Sequence, residues 1–223
     1  MTAPTPRLRP FLLPAALLGG AAALLLTNDV PSPELARATV REVAGWPDWA
    51  HTGVELVSEG GLVVLALLLA VAAWRRRARA SSVATALLAG AGVVVALGVS
   101  EALKTAMTQD RPCRTVSGLT ALAECPPPGD WSLPSNHATL AAALATAVVL
   151  LAPAWWRVAV PIALAVAAAR VGLGVHYPHD VIDGLVLGPA IVGGVVLLLH
   201  RPATRMSAAV LPRSHSTAAD PDA

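Results

Sequence analysis

Six apolar stretches, each close to the length that crosses a lipid bilayer, dominate this chain of 223 residues. They cover about 11–27, 56–74, 82–103, 136–155, 157–173 and 181–199. A helix needs ~20 apolar residues to span the hydrocarbon core, with a usable range of ~17 to 25. Charged residues make up only 13% of the chain, against about 25% in soluble domains. The sequence therefore predicts an all-α integral membrane bundle of six transmembrane helices.

The first stretch has a second interpretation. A basic start with Arg7 and Arg9, an apolar run and small residues near 21–23 also describe a cleavable signal peptide. Its removal would leave the other five spans unchanged. Beyond the spans, the chain divides into a membrane domain over 1–201 and a polar segment over 202–223, which we predict to be a disordered cytoplasmic tail.

The distribution of basic residues predicts the orientation. An N-terminus on the cytoplasmic side places ten basic residues inside, namely Arg7, Arg9, Arg75, Arg76, Arg77, Arg79, Arg157, Arg201, Arg205 and Arg213. The other six lie outside. Because cytoplasmic loops carry an excess of Lys and Arg, both termini are predicted to be cytoplasmic.

Three short groups of polar residues lie at ends of apolar stretches. Lys104, the only lysine in the chain, lies seven residues before the pair Arg111-Pro112. The second group is Pro134-Ser135-Asn136-His137, and the third is Arg170, His176 and Asp180. In the predicted orientation all three groups fall on the extracytoplasmic side, so we expect them to meet there.

These groups resemble the signature of the type 2 phosphatidic acid phosphatase (PAP2) superfamily of lipid phosphatases and acid phosphatases. The family pattern is Lys-x6-Arg-Pro, then Pro-Ser-Gly-His, then Ser-Arg-x5-His-x3-Asp. This chain keeps the spacings and departs at two positions, with Asn136 for the usual Gly and Ala169 for the usual Ser. The resemblance implies a helical core of the PAP2 and haloperoxidase type, and it favours retention of the first span.

The resemblance also implies roles for individual side chains. It makes His176 the nucleophile of a phosphohistidine mechanism, Asp180 its orienting partner and His137 the proton donor to the leaving oxygen. The phosphate-binding residues are then Lys104, Arg111, Ser135, Asn136 and Arg170. Elementary chemistry suits these assignments, because Lys and Arg bind phosphate oxygens and a helix beginning at Ser135 would point free amides at an anion.

Neighbouring polar residues are expected to have lesser roles. His179 is interpreted as a loop residue without a chemical role, and Glu101 as a structural counter-ion one turn from Lys104. The motif regions lack the carboxylate cluster that metal-assisted phosphoryl transfer uses, so no metal and no cofactor are expected.

Two cysteines, Cys113 and Cys125, lie twelve residues apart in the loop between the third and fourth spans. In an oxidising compartment this pair predicts a disulfide that holds the loop over the site. A pair of free thiols is the alternative.

The predicted function is a metal-independent lipid phosphatase of a bacterial plasma membrane, with a phosphorylated lipid as substrate and no nucleic-acid partner. A site at the membrane interface, near Trp46 and Trp49, favours lipid phosphates over soluble ones. Polyprenyl pyrophosphates, phosphatidic acid, phosphatidylglycerol phosphate and polyprenyl-linked sugar phosphates all remain open as substrates. An alanine-rich, lysine-poor composition is typical of GC-rich bacterial genomes and favours an undecaprenyl or decaprenyl carrier.

The alternatives to a lipid phosphatase are a phosphotransferase with the same site, or a transporter or lipid-binding protein without catalysis. The sequence leaves the oligomeric state open.

Overall fold

The structure, a computed structural model, describes residues 33–210, and all regular secondary structure in this part of the chain is helical. The helices are α1 (Pro33–Ala44), α2 (Asp48–Arg75), α3 (Ala80–Met107), α4 (Pro112–Thr115), α5 (Asn136–Leu151), α6 (Trp156–Gly172) and α7 (Pro178–Val210), with a 3-10 turn at Pro153–Trp155. The all-α prediction is confirmed. The predicted first span, 11–27, lies outside the described residues.

Four helical segments are long and apolar enough to cross a membrane: Asp48–Arg75, Ala80–Thr115, Pro153–Gly172 and Pro178–Arg201. The predicted span over 136–155 is instead divided. Its helix, α5, ends at Leu151 because Pro153 cannot donate a backbone hydrogen bond and disfavours helical geometry in the residue before it. With 16 residues, α5 is about 24 Å long.

The short helix α5 lies at the centre of the bundle and packs against α2, α3, α6 and α7. Its alanines make this close packing feasible, and Ala138, Ala141, Ala143 and Ala147 are all fully buried. By contrast, α2 presents many leucines and valines outward, as a helix that faces lipid does. The central helix is therefore surrounded by other helices over most of its length, with Leu150 near its end exposed and the Ser135 cap at its start buried.

A glycine allows α7 to approach the start of α5. A Cβ atom at Gly184 would lie 2.7 Å from the Ser135 carbonyl oxygen and 2.8 Å from the Thr139 amide nitrogen. Small residues at such crossings let membrane helices approach backbone to backbone. The Ser135 amide consequently donates a hydrogen bond of 3.0 Å to the carbonyl oxygen of Asp180, which joins the second and third motifs directly.

Two parts of the structure differ from the sequence-based boundaries. The connection between the first two predicted spans, residues 28–55, contains α1 and the first turns of α2. Helix α1 is amphipathic, and its apolar face, formed by Ala36, Val40 and Val43, is buried. At the other end, α7 continues to Val210. This helix covers the first nine residues of the segment 202–223, and the disordered tail stays a prediction. Residues 211–223 lie outside the described part.

Candidate active site

The three motifs meet at one end of the bundle. Lys104 lies in the last turn of α3 and Arg170 in the last turn of α6. Ser135 caps α5, and Asp180 lies in the first turn of α7, which begins at Pro178. His176 occupies the turn between α6 and α7. Antiparallel helix directions thus bring two helix C-termini and two helix N-termini to the same level.

His176 and Asp180 form a buried pair. The Nδ1 atom of His176 lies 3.3 Å from Oδ2 of Asp180, and the two residues are 2% and 0% exposed. Because a carboxylate only accepts hydrogen bonds, the ring proton is on Nδ1 and the lone pair is on Nε2. The pair has the arrangement of a nucleophilic imidazole held by a carboxylate.

The Asp180 carboxylate has further donors that the sequence did not indicate. Gln109 Nε2 donates to Oδ1 at 2.9 Å, the Tyr177 amide donates to Oδ2 at 2.8 Å, and the Ser132 hydroxyl also donates to Oδ2. Gln109 is one of the six unspecified positions between Lys104 and Arg111, and Ser132 lies two residues before Pro134, so the motif pattern does not distinguish either residue.

His179 also differs from its prediction. It lies in the first turn of α7 rather than in a loop, it is 8% exposed, and its Nε2 lies 3.1 Å from Oδ1 of Asp180. The same nitrogen lies 3.0 Å from Gln109 Nε2 and 3.3 Å from Gln109 Oε1. The residue is therefore part of the network around Asp180.

Burial lowers the pKa of His176 from 6.5 to about 4, although the hydrogen bond and charge of Asp180 act in the opposite direction. The positive charges of Arg111 and Arg170 also favour the neutral ring. A neutral imidazole whose Nε2 carries no proton is the form that can attack phosphorus.

Arg111 connects the nucleophile candidate to the anion-binding side chains. Its Nη1 donates to His176 Nε2 at 3.0 Å and to the Val175 carbonyl oxygen at 3.0 Å. Its Nη2 lies 2.7 Å from Oδ1 of Asp130, and Lys104 Nζ lies 3.2 Å from the same oxygen. Both cationic residues are buried, at 3% and 4% exposed, and a cavity of about 310 Å³ opens beside Lys104 and Asp130.

Asp130, which the sequence analysis did not select, is the anion bound by these two cations. Partial burial acts to raise the pKa of Asp130, but the hydrogen bond and charge of Arg111, together with Lys104, lower it overall. Asp130 is therefore ionised at neutral pH and occupies a position that suits an oxygen of a bound phosphate.

A second carboxylate, Glu59 on α2, contacts the other two motif side chains. Its Oε1 lies 2.8 Å from His137 Nε2 and 3.5 Å from Arg170 Nη1. Arg170 Nη1 also donates to the buried Ser58 hydroxyl at 3.2 Å. Nothing in the apolar sequence around Ser58 and Glu59 marked them as neighbours of the site.

Ser135 and Asn136 begin α5, as the sequence predicted for a helix start. The Ser135 hydroxyl accepts from the Ala138 amide at 3.5 Å. The Asn136 side chain accepts from Ser100 at 2.7 Å and donates to Glu101. Glu101 is thus hydrogen-bonded to Asn136, while Lys104 pairs with Asp130.

The loop between α3 and α5 is closed by a covalent bond. The sulfur atoms of Cys113 and Cys125 are 2.03 Å apart, with 6.0 Å between the Cα atoms. Within residues 33–210, no group of three or more His, Cys, Asp or Glu side chains is arranged to hold a metal ion.

Comparison with known proteins identifies the family. Residues 80–203 match the PAP2 superfamily. This chain belongs to that superfamily. A match of 41% identity over 96 residues links it to an undecaprenyl-diphosphatase of Sulfolobus acidocaldarius and covers 43% of this chain and 46% of that protein. A decaprenylphosphoryl-5-phosphoribose phosphatase of Mycobacterium tuberculosis is 36% identical over 138 residues, which cover 61% of this chain and 70% of that protein.

The fold is also that of a solved family member. The crystal structure of a transmembrane PAP2-type phosphatidylglycerolphosphate phosphatase from Bacillus subtilis superimposes with a TM-score of 0.59 at 20% identity, over 86% of this chain and 96% of that one. At this identity the likeness concerns the fold alone. It confirms the predicted helical membrane architecture of the PAP2 type.

The lowered pKa of His176 predicts an unusual pH dependence. An attacking imidazole must be neutral, so activity should be lost as the pH falls through about 4 instead of through ~6.5 as for an ordinary histidine. The measurement is kcat/KM from pH 3.5 to 7, corrected for the phosphate ionisation near pH ~6. Recovery of activity after return to pH 7 controls for unfolding. A loss of kcat/KM near pH ~6.5 that persists after the correction for phosphate ionisation would contradict the assignment.

Proposed function

We propose that this PAP2-superfamily membrane phosphatase hydrolyses a phosphate or pyrophosphate group carried by a membrane lipid, through a covalent intermediate on His176. One observation carries this proposal: the buried ring of His176 is held by Asp180 through Nδ1, and its Nε2 faces the guanidinium of Arg111 at 3.0 Å. A phosphate that takes over this Arg111 N–H would therefore lie next to the nucleophilic atom and release its lone pair for attack.

Binding of the phosphate uses the three cations and the start of α5. Lys104, Arg111 and Arg170 neutralise the equatorial oxygens, on which negative charge grows during transfer. Ser135 and the free amides of the first turn of α5 supply hydrogen bonds, and Asn136 lies beside them. With three cations at the phosphate, we infer that the reaction requires neither metal nor cofactor.

In the first chemical step, Nε2 of His176 forms a bond to phosphorus and the bond from phosphorus to the lipid oxygen breaks. The leaving oxygen takes the electron pair and receives a proton from His137. Asp180 stabilises the positive charge that grows on the ring of His176. Splitting the displacement in this way replaces one difficult step with two easier ones.

In the second step, water attacks phosphorus and the bond to Nε2 breaks. His137, neutral after the first step, accepts a proton from this water and regains its starting form. Inorganic phosphate then leaves. In the absence of substrate, Asp130 binds Lys104 and Arg111, and Glu59 binds Arg170 and His137. A bound phosphate then replaces the two carboxylates as the partner of these four side chains.

The substrate class follows from the surroundings of the site. The reacting side chains lie at the ends of apolar helices, and the exposed Trp46 and Trp49 lie near the start of α2. Trp at this level is typical of the head-group region. The names of the two curated relatives both include a polyprenyl lipid. We therefore propose a polyprenyl pyrophosphate or polyprenyl-linked phosphate as the natural substrate, ahead of phosphatidic acid and phosphatidylglycerol phosphate.

The roles of the two histidines predict different sensitivities to the leaving group. His176→Ala should reduce hydrolysis of every substrate by more than about 10³-fold, because no nucleophile remains. His137→Ala should slow undecaprenyl pyrophosphate and phosphatidic acid hydrolysis by about 10²- to 10⁴-fold. It should affect p-nitrophenyl phosphate much less, since nitrophenolate leaves without a proton.

Released phosphate from purified protein in detergent is the measurement, and His200→Ala, at the far end of α7, is the matched control. Wild-type rates in folded His176→Ala would remove the nucleophile assignment. An equal loss on all substrates in His137→Ala would remove the acid assignment.

We also propose that the site faces the extracytoplasmic side of a bacterial plasma membrane. The excess of arginines in the predicted cytoplasmic segments supports this orientation, and so does the disulfide in the loop over the site.

This orientation predicts the accessibility of the only two cysteines, Cys113 and Cys125. In intact cells, an impermeant maleimide applied after an impermeant reductant should label both residues. A variant with both cysteines replaced by serine is the control for background labelling. Labelling that appears only after the membrane is opened would place the site on the cytoplasmic side.

A further inference from the structure

The Asp180 carboxylate receives more hydrogen bonds than its pairing with His176 requires. Its side chain is 0% exposed, so each oxygen depends on protein donors in place of water. Oδ2 accepts from the Ser132 hydroxyl and the Tyr177 amide as well as from His176. Oδ1 accepts from the side-chain amide of Gln109 and also lies 3.1 Å from Nε2 of His179.

Two of these donors come from the loop between α3 and α5. Gln109 follows the end of α3, and Ser132 precedes the start of α5. They are joined to each other, because the Ser132 amide donates to the Gln109 carbonyl oxygen at 2.7 Å. The two side chains therefore approach Asp180 as one unit and bind different oxygens of its carboxylate.

This arrangement fixes the direction of the His176 ring. Oδ2 is shared by His176 Nδ1 and the Ser132 hydroxyl, so the hydroxyl limits where the carboxylate can turn. The amide of Gln109 limits the same rotation from the other oxygen. A carboxylate held at both ends keeps Nδ1 hydrogen-bonded and Nε2 directed at Arg111.

We propose that Ser132 and Gln109 are positioning residues for phosphoryl transfer, which act on His176 through Asp180. This inference rests on the proposed function, since it assigns them to the nucleophilic step. Neither side chain needs to touch the lipid. The connection between α3 and α5, which contains the Cys113–Cys125 disulfide, then contributes to the reaction at two points, with Arg111 at the phosphate and with Ser132 and Gln109 behind the nucleophile.

Ser132→Ala and Gln109→Met remove one donor each with little change of volume. Each should lower kcat by about 10- to 100-fold, the range that corresponds to one hydrogen bond to a charged group. KM for the lipid should stay unchanged, because substrate binding does not involve these donors. Thr146→Val is the matched control, since it removes a hydroxyl that donates to the Ala142 carbonyl oxygen within α5, away from the site.

Vanadate separates positioning from a loss of folded protein. Vanadate can adopt the five-coordinate geometry of the transferring phosphorus, so its binding affinity depends on the direction of Nε2. Its inhibition constant should rise in Ser132→Ala by about the same factor as kcat/KM falls. Partial unfolding would reduce the amount of active enzyme and leave the inhibition constant unchanged, and that outcome would overturn the inference.

A double-mutant cycle tests the path through Asp180. In an Asp180→Asn background, Ser132→Ala should lower kcat by little more than about threefold, since the shared partner is already altered. In a Lys104→Gln background, Ser132→Ala should lower kcat by the same factor as in the wild-type protein. Equal losses in both backgrounds would overturn the role of Asp180 as intermediary. The proposed function itself fails separately, if His176→Ala retains wild-type turnover.

Discussion

The approach of α7 to the start of α5 is the contact on which the site depends. Gly184 permits it, because any side chain there would meet the Ser135 carbonyl oxygen at 2.7 Å. Through this contact the Ser135 amide bonds the Asp180 carbonyl oxygen. Backbone atoms thereby fix the start of α5, the proposed phosphate site, relative to the Asp180 carboxylate, which holds the proposed nucleophile His176.

The electrostatic arrangement of the site follows from burial. Lys104 and Arg111 are almost fully buried and share the Asp130 carboxylate, while Arg170 and His137 share Glu59. Buried cations need such partners, because an uncompensated charge inside a protein is strongly destabilising. The carboxylates are more exposed than the cations, with side chains that are 43% and 66% accessible. In the proposed mechanism a phosphate displaces them without disturbing the helices that carry the cations.

The sequence predicted the helices and the meeting of the motifs because both follow from strong local signals. Apolar length indicates spans, and the alternation of span direction places Lys104, His137 and His176 at one end. The chain gave no comparable signal for contacts between distant segments. Glu59 lies 78 residues before His137, and Ser132 lies 48 residues before Asp180. Such pairs are set by the packing of α2 and of the loop before α5. The amphipathic α1 was missed for a different reason, since its charged residues lower the average hydropathy around a narrow apolar face.

Trapping of the covalent intermediate tests the central claim most directly. Purified protein in excess EDTA would receive a substrate with a labelled terminal phosphate, followed by a rapid alkaline quench, which preserves the bond between phosphorus and histidine nitrogen. Fragment sequencing by mass spectrometry distinguishes His176 from the neighbouring His179. We expect one label on His176 during turnover and none in His176→Ala. Turnover in EDTA without any labelled histidine, or a label on another residue such as Ser135, would contradict the phosphohistidine mechanism.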